Sequence, residues 1–374
     1  MDVKKVIVGL ITCLLFSCSG NNSYEAKSIV IKDQESKPAN LTTDFDWVSP
    51  IYLNNKEVLL GRIKDIKFYQ DEVYILTESK GNGLYVFDSE GKFLRKIGSP
   101  GSGPEEYKYF QSFIIRENEI YLLDREAKRI VKYSTQGEFI STLVNGIYGF
   151  DLSIKDDELI VYAGNMNLDN QGIGDKILFY DIEGNFLNST QKIDAHEAEF
   201  LHIIPQNVFS DISNIYLEPF SKELYQIQGG DIKLWRNLDF GSKSLPDEAL
   251  EKGYGNIAEF ITEIRKKDYA INYNNIRETN EYYVFTYELN DPSNPNMVFI
   301  NKDTEEVSIF NGIFENLISS GLKLSFKEFK LVGNEDDSLI FILYPYDLVD
   351  QDVKLNTVMS IDDNPIVFRL SLKI

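Results

Sequence analysis

The sequence predicts an all-β fold, a six-bladed β-propeller of four-stranded antiparallel blades with a short helical insertion between blades four and five. Three observations predict it. A hairpin motif recurs along the chain, a second series of short strands runs out of phase with it, and the 374 residues include 22 Tyr and 24 Phe, large flat side chains that pack well on a pleated surface. This length suits two average domains or one large all-β unit; internal repetition decides for one unit.

The first residues stand outside that unit. Residues 1–5 carry two lysines, 6–15 are almost wholly apolar, and Leu15, Phe16, Ser17 and Cys18 follow, the layout of an export signal. An apolar run of about ten residues is too short to span a bilayer, which needs roughly 20. The four residues ending at Cys18 resemble a bacterial lipobox, which implies an acylated cysteine as the first mature residue. Phe16 departs from the small or branched residue usual there; the alternative is an ordinary secretory signal with an incidental cysteine. Cys13 lies inside the apolar run, so Cys18 would be the sole thiol of the exported chain, unusual in an oxidising compartment unless modified, and no disulfide is expected. The expected division is a signal peptide over 1–17, a flexible tether over 18–40 and the propeller over 41–374.

The repeat is clearest in FDSEGKFL at 87–94, YSTQGEFI at 133–140 and YDIEGNFL at 180–187. Each has an aromatic residue, turn-forming residues, a glycine, then Phe and an aliphatic. Gly91, Gly137 and Gly184 supply the positive φ of a tight hairpin, with Phe93, Phe139 and Phe186 expected to return to the core. Weaker copies lie at 224–235, 298–310 and 358–370. A β-branched and aromatic run precedes each copy, at 73–76, 120–123, 159–162, 215–217, 282–287 and 339–343. With one further apolar stretch, such as 111–115, each unit reaches the four strands of a propeller blade. Residues 46–60 are expected to pair beside the last blade and close the ring. Between the fourth and fifth copies, 246–270 places Ile257, Phe260, Ile261 and Ile264 on one helical face opposite Glu259, Glu263, Arg265 and Lys266; this insertion reads as a cap, with a lid or docking element as the alternative. A second short helix is expected over 313–324.

The most distinctive loop is IGSPGSGPEEY at 97–107, where glycine and proline impose a compact course. Gly98, Gly101, Gly103, Pro104, Glu105, Glu106 and Tyr107 are its candidate residues, either as a structural clamp between blades or as part of a binding rim. Gly98, Gly103, Pro104, Glu105 and Tyr107 resemble the loop after the first outer hairpin in the six-bladed β-propeller lipoproteins of Bacteroidetes, and LLDREAKRIVKYSTQGEF at 122–139 is similar to NHL repeats. That resemblance implies a six-bladed fold and an envelope location and says little about ligand.

Catalytic constellations are scarce. The formal charge of −21 opposes nucleic acid, which needs clustered Lys and Arg, and serves solubility. Only His196 and His202 are present, too few for a His-rich zinc site. An oxygen-ligand site for Ca or Mg, as in lactonase-like propellers, could draw on Asp124, Asp151 or Glu218. Neither a G-x-S-x-G nucleophile elbow nor a P-loop is present; Gly172 and Gly174 lack the following K-[ST]. The N-x-[ST] matches at Asn40 and Asn188 carry no meaning in a bacterium. The expected function is therefore a non-enzymatic envelope lipoprotein, a binding or scaffolding module for a protein, peptide or glycan, acting without a cofactor. The alternative is a divalent-cation-dependent propeller enzyme of lactonase or lyase type. Ser19, Gly20, Asn21 and Asn22 lack the acidic residues common after the cysteine in surface-exposed lipoproteins, which favours the periplasmic face of the outer membrane.

Overall fold

A computed structural model describes residues 26–53, 58–78, 81–167, 174–272, 275–317, 322–348, 360 and 362–373. The fold is mostly β and propeller-like. Two antiparallel meanders are regular four-stranded sheets: Phe110–Arg116, Glu119–Asp124, Arg129–Ser134 and Phe139–Asn145, then Asp151–Lys155, Glu158–Tyr162, Asp175–Asp181 and Phe186–Lys192. The strands Ile215–Leu217, Glu223–Gln228 and Asp231–Asp239 are completed to four by β1 (Ser28–Val30). A seven-stranded sheet is built on Tyr282–Glu288, Asn296–Asn301 and Val307–Glu315, with β2 (Lys37–Asn40) at its edge.

The last large sheet has nine strands. Arg62–Tyr69, Glu72–Glu78, Gly83–Asp88 and Phe93–Ile97 form one half; Phe329–Glu335, Ser338–Leu343 and Ile366–Leu372, with β3 (Phe45–Trp47) and β4 (Ile51–Tyr52), form the other. One parallel bridge, Gly333 to Ile66, joins the halves. The described strands thus make five large sheets rather than six separate ones, because the first strands of two neighbouring units approach closely enough to hydrogen-bond.

Pairing of β3 and β4 with Ile366–Leu372 is the closure expected of residues 46–60. The tether is corrected. Residues 28–30 and 37–40 are strands, held because Ile29, Ile31 and Ala39 are buried and because the outer edges of two sheets would otherwise present unpaired backbone. The helix expected over 313–324 is also corrected: Val307–Glu315 runs on as a strand and Lys323–Ser325 pairs back onto it, so Phe314 and Leu324 face the core with the period of two. Residues 318–321 lie outside the description, as do Cys18, the rest of the leader and residues 358, 359 and 361 of the 358–370 hairpin.

Two kinds of turn mark one end of the strands. Gln70–Asp71, Glu117–Asn118 and Asp156–Asp157 all have positive φ at both residues, the two-residue turn whose twist matches paired strands. Gly91, Gly137 and Gly184 have φ of +85°, +93° and +90° as expected; in two of these turns Asp88 and Asp181 accept backbone N–H bonds through Oδ1. Phe93 and Phe139 are half-buried against Phe87 and Tyr133. Phe186 keeps the same edge contact, with Tyr180 at 5.6 Å, but is 58% exposed, so it does not return to the core.

The opposite end carries the long connections, 98–109, 163–174, 193–206, 240–276 and 344–365. There α1 (Glu197–Phe200), α2 (Glu248–Glu251) and α3 (Ile257–Lys266) gather over the sheets. Asn256 caps α3 by accepting from the amides of Ala258 and Glu259. Phe260 and Ile264 bury against Phe200, Phe220, Leu245 and Ile271, so the 246–270 insertion is a docked cap, as its amphipathic pattern predicts. Among the described residues no helix is long and apolar enough to cross a membrane.

Candidate functional site

The 97–107 loop folds back on itself. Ser99–Pro100 and Glu106–Tyr107 pair in parallel, and the Glu106 carboxylate accepts from the Gly103 amide at 2.7 Å. A Cβ on Gly101 would displace that carboxylate from the Gly103 amide. Tyr107 is buried, stacks on Phe110 at 3.9 Å and donates to the Asn82 carbonyl. Tyr133 donates to the Glu105 carbonyl at 2.6 Å, and Arg129 donates to the carbonyls of Pro104 and Glu106. Gly98, at φ +64°, packs on the Tyr133 ring. The loop's polar groups are spent on clamping two adjacent sheets; Glu105 and Pro104 alone among its candidate residues are fully exposed.

The carboxylates singled out as possible metal ligands are spent in the same way. Asp124 is fully buried and accepts from the amides of Lys108, Tyr109 and Ala127. Asp151 accepts from Ser112 Oγ at 2.8 Å in the preceding sheet and from the Val208 amide at 2.9 Å in the segment leading into the following one; burial raises its pKa. Among the described residues no three His, Cys, Asp or Glu come together as a metal set would.

Along the axis the first strands carry a charged plug that sequence reasoning missed. Arg277 is 1% exposed. It donates to Asp65 at 2.9 Å, Asn207 at 2.8 Å and Asn275 at 3.1 Å, and Lys67 donates to Asp211 at 2.6 Å. Burial works against the Asp211 charge, but Lys67 and Arg277 together hold its pKa below the usual carboxylate range. Lys64 donates to the Gln111 carbonyl at 2.6 Å, and burial brings its pKa down to about 8. Only about 50 Å³ of space is left beside this plug. The sole trace in the sequence is a few charged residues, such as Lys64, Asp65 and Lys67, inside an otherwise strand-like run.

Two hollows open at the long-loop end. The smaller, about 220 Å³, is lined mainly by Tyr148, Phe150, Tyr162, Met166, Leu201 and Ile204. The larger, about 660 Å³, lies between α2 and the sheets. Glu218, Leu201 and Pro219 belong to both. In the wall between them Lys176 donates to Glu218 at 2.5 Å and to Glu197 at 3.4 Å, and Gln191 donates to Glu218 at 2.7 Å. Burial pushes the Glu218 carboxyl up against the opposing pull of Lys176, and Lys176 stays above its ordinary pKa because the two carboxylates outweigh its own burial. The two histidines do not form a pair: His196 Nε2 meets the Glu251 carbonyl at 2.9 Å, tying α1 to α2, while His202 lines the smaller hollow.

A family model described as a domain of unknown function, DUF4934, matches residues 27–371. The chain belongs to this family. No curated protein matches its sequence. In three dimensions this DUF4934 chain is similar to a crystallised protein of Bacteroides fragilis assigned as exported, with 18% identity and a TM-score of 0.71 over 93% of this chain and 100% of that one. A DUF4221 family member from Bacteroides vulgatus is similar at 13% identity and a TM-score of 0.56, over 88% of this chain and 99% of that one. These likenesses carry the fold, which is propeller-type. The match beginning at residue 27 agrees with β1 being part of the DUF4934 domain rather than of a tether.

Proposed function

We propose that this DUF4934 protein is a non-enzymatic binding module of the cell envelope, a six-bladed propeller that holds a protein, peptide or glycan ligand at its long-loop end. The observation that carries this is the inequality of the two ends: tight two-residue turns on one, and on the other an apolar hollow with few polar groups, the usual form of a ligand site. Six blades are supported by six hydrophobic slabs, each between successive units, with the nine-stranded sheet counted as two blades across its single bridge. The leader and Cys18 support lipid anchoring, and the absence of acidic residues from 19–22 supports the periplasmic face of the outer membrane.

The test is a defined array of peptides and oligosaccharides probed with the full-length protein in detergent. Bound ligands should be recovered chemically unchanged, and their binding should disappear in Leu201→Arg and Ile204→Arg. Conversion of the ligand, or binding indifferent to both substitutions, overturns the reading. Chelation should leave the melting temperature unchanged, since the buried carboxylates are satisfied by protein donors; a large chelator-sensitive loss, reversed by Ca or Mg, would favour the lactonase-type alternative.

A further inference from the structure

We infer that the ligand is a basic peptide segment, which seats one apolar side chain in the smaller hollow and lays cationic groups along the larger; this rests on the binding reading above. The smaller hollow has the volume for one large side chain. Its wall is apolar apart from a few groups, of which Asn165 is the telling one. Asn165 is 9% exposed, its Nδ2 donates to the Leu201 carbonyl, and its Oδ1 has no donor among the described residues. A buried acceptor left unpaired carries a desolvation penalty, which a ligand N–H would relieve.

The larger hollow supplies the charge. Asp194, Glu197, Glu218, Glu223, Asp247 and Glu251 line it against two ammonium groups, Lys176 and Lys222. Both lysines are committed, Lys176 to Glu218 and Glu197, Lys222 to Asp247 at 2.7 Å. Asp194, Glu223 and Glu251 have no cationic partner among the described residues. A neutral or acidic ligand would meet these carboxylates uncompensated, whereas Lys or Arg side chains would be drawn in. A glycan lacks the cation and a polyamine lacks the apolar group. A peptide with a basic residue beside an aromatic or branched one has both, and its backbone amides offer the donor that Asn165 lacks.

Isothermal titration of full-length protein with acetyl-Lys-Lys-Tyr-Lys-Lys-amide should show binding that weakens with added salt. Binding should fall at least about tenfold when the peptide tyrosine becomes alanine, and by a similar factor in the double variant Glu223→Gln, Glu251→Gln. Equal or tighter binding of the Glu-Glu-Tyr-Glu-Glu counterpart, or no change in the double variant, overturns the inference. If an acidic peptide or an oligosaccharide binds and is lost in Ile204→Arg, the charge assignment fails and the binding end stands. If no ligand responds to Ile204→Arg, both fail. Ile204 is 56% exposed, so this variant should keep the wild-type melting temperature, which is the control for folding.

Discussion

Arg277 brings a full positive charge where almost no water reaches, and the fold accepts it because each arm of its guanidinium has a partner. Its partners come from separate units, so the residue braces the ring across its axis. Arg277→Met should strip Asp65 of its hydrogen-bonded cation, leaving Lys67 Nζ at 3.9 Å as its nearest positive charge, and lower the unfolding free energy by about 3 kcal/mol in urea titration. Arg277→Lys should rescue little, because an ammonium cannot reproduce the planar fork. Lys64 allows a test by pH. With its folded pKa near 8 against an ordinary 10.5, it is a half-buried, desolvated cation below pH 8. Between those values it is neutral in the fold and still charged in the unfolded chain, so the wild type gains stability as pH rises through that window. Lys64→Met lacks this gain, and its melting temperature relative to wild type should fall across the same window. Neither residue was legible as a site beforehand: a single Arg or Lys in a strand looks like an exposed position until the neighbouring units close around it.

Among the strands and turns, the sequence was most informative where local chemistry acts alone. The hairpins at 87–94, 133–140 and 180–187 declare themselves because a glycine at positive φ and a side chain that satisfies its own turn are short-range requirements. What the same motif cannot reveal is what packs against it. A Cβ on Gly91 would lie 2.0 Å from the Tyr52 carbonyl, whereas one on Gly137 would meet nothing nearer than 3.5 Å. Gly137→Ala should therefore cost about 1–2 kcal/mol for its backbone alone, and Gly91→Ala clearly more, with thermal melting as the measure. The insertion carrying α3 was legible for a related reason, since its apolar stripe is local. Residues 28–40 were misread because their polar composition suits a tether; what makes them strands is a pair of open sheet edges contributed by residues more than two hundred positions later. The smaller hollow was equally hidden: Tyr148, Tyr162 and Leu201 are ordinary apolar residues that only the ring brings together.

The molecule as a whole is held by its ends meeting. The first strands run along the outer edges of three successive sheets, β1 on Asp231–Asp239, β2 on Val307–Glu315, then β3 and β4 on Ile366–Leu372. Removing residues 26–40 should forfeit the burial of Ile29 and Ile31, about 3–6 kcal/mol together, and expose two edges to self-association, visible as a lower melting temperature and aggregation in light scattering. The lacing also fixes an order of events. Every partner of the leading strands is synthesised, and would be threaded through any secretion pore, long after the strands themselves. The earliest segment to appear is therefore the last to find its place, its contacts have large sequence separation, and closure should be the slow step of folding. A chain wired in this way stays unlocked until its final strand arrives.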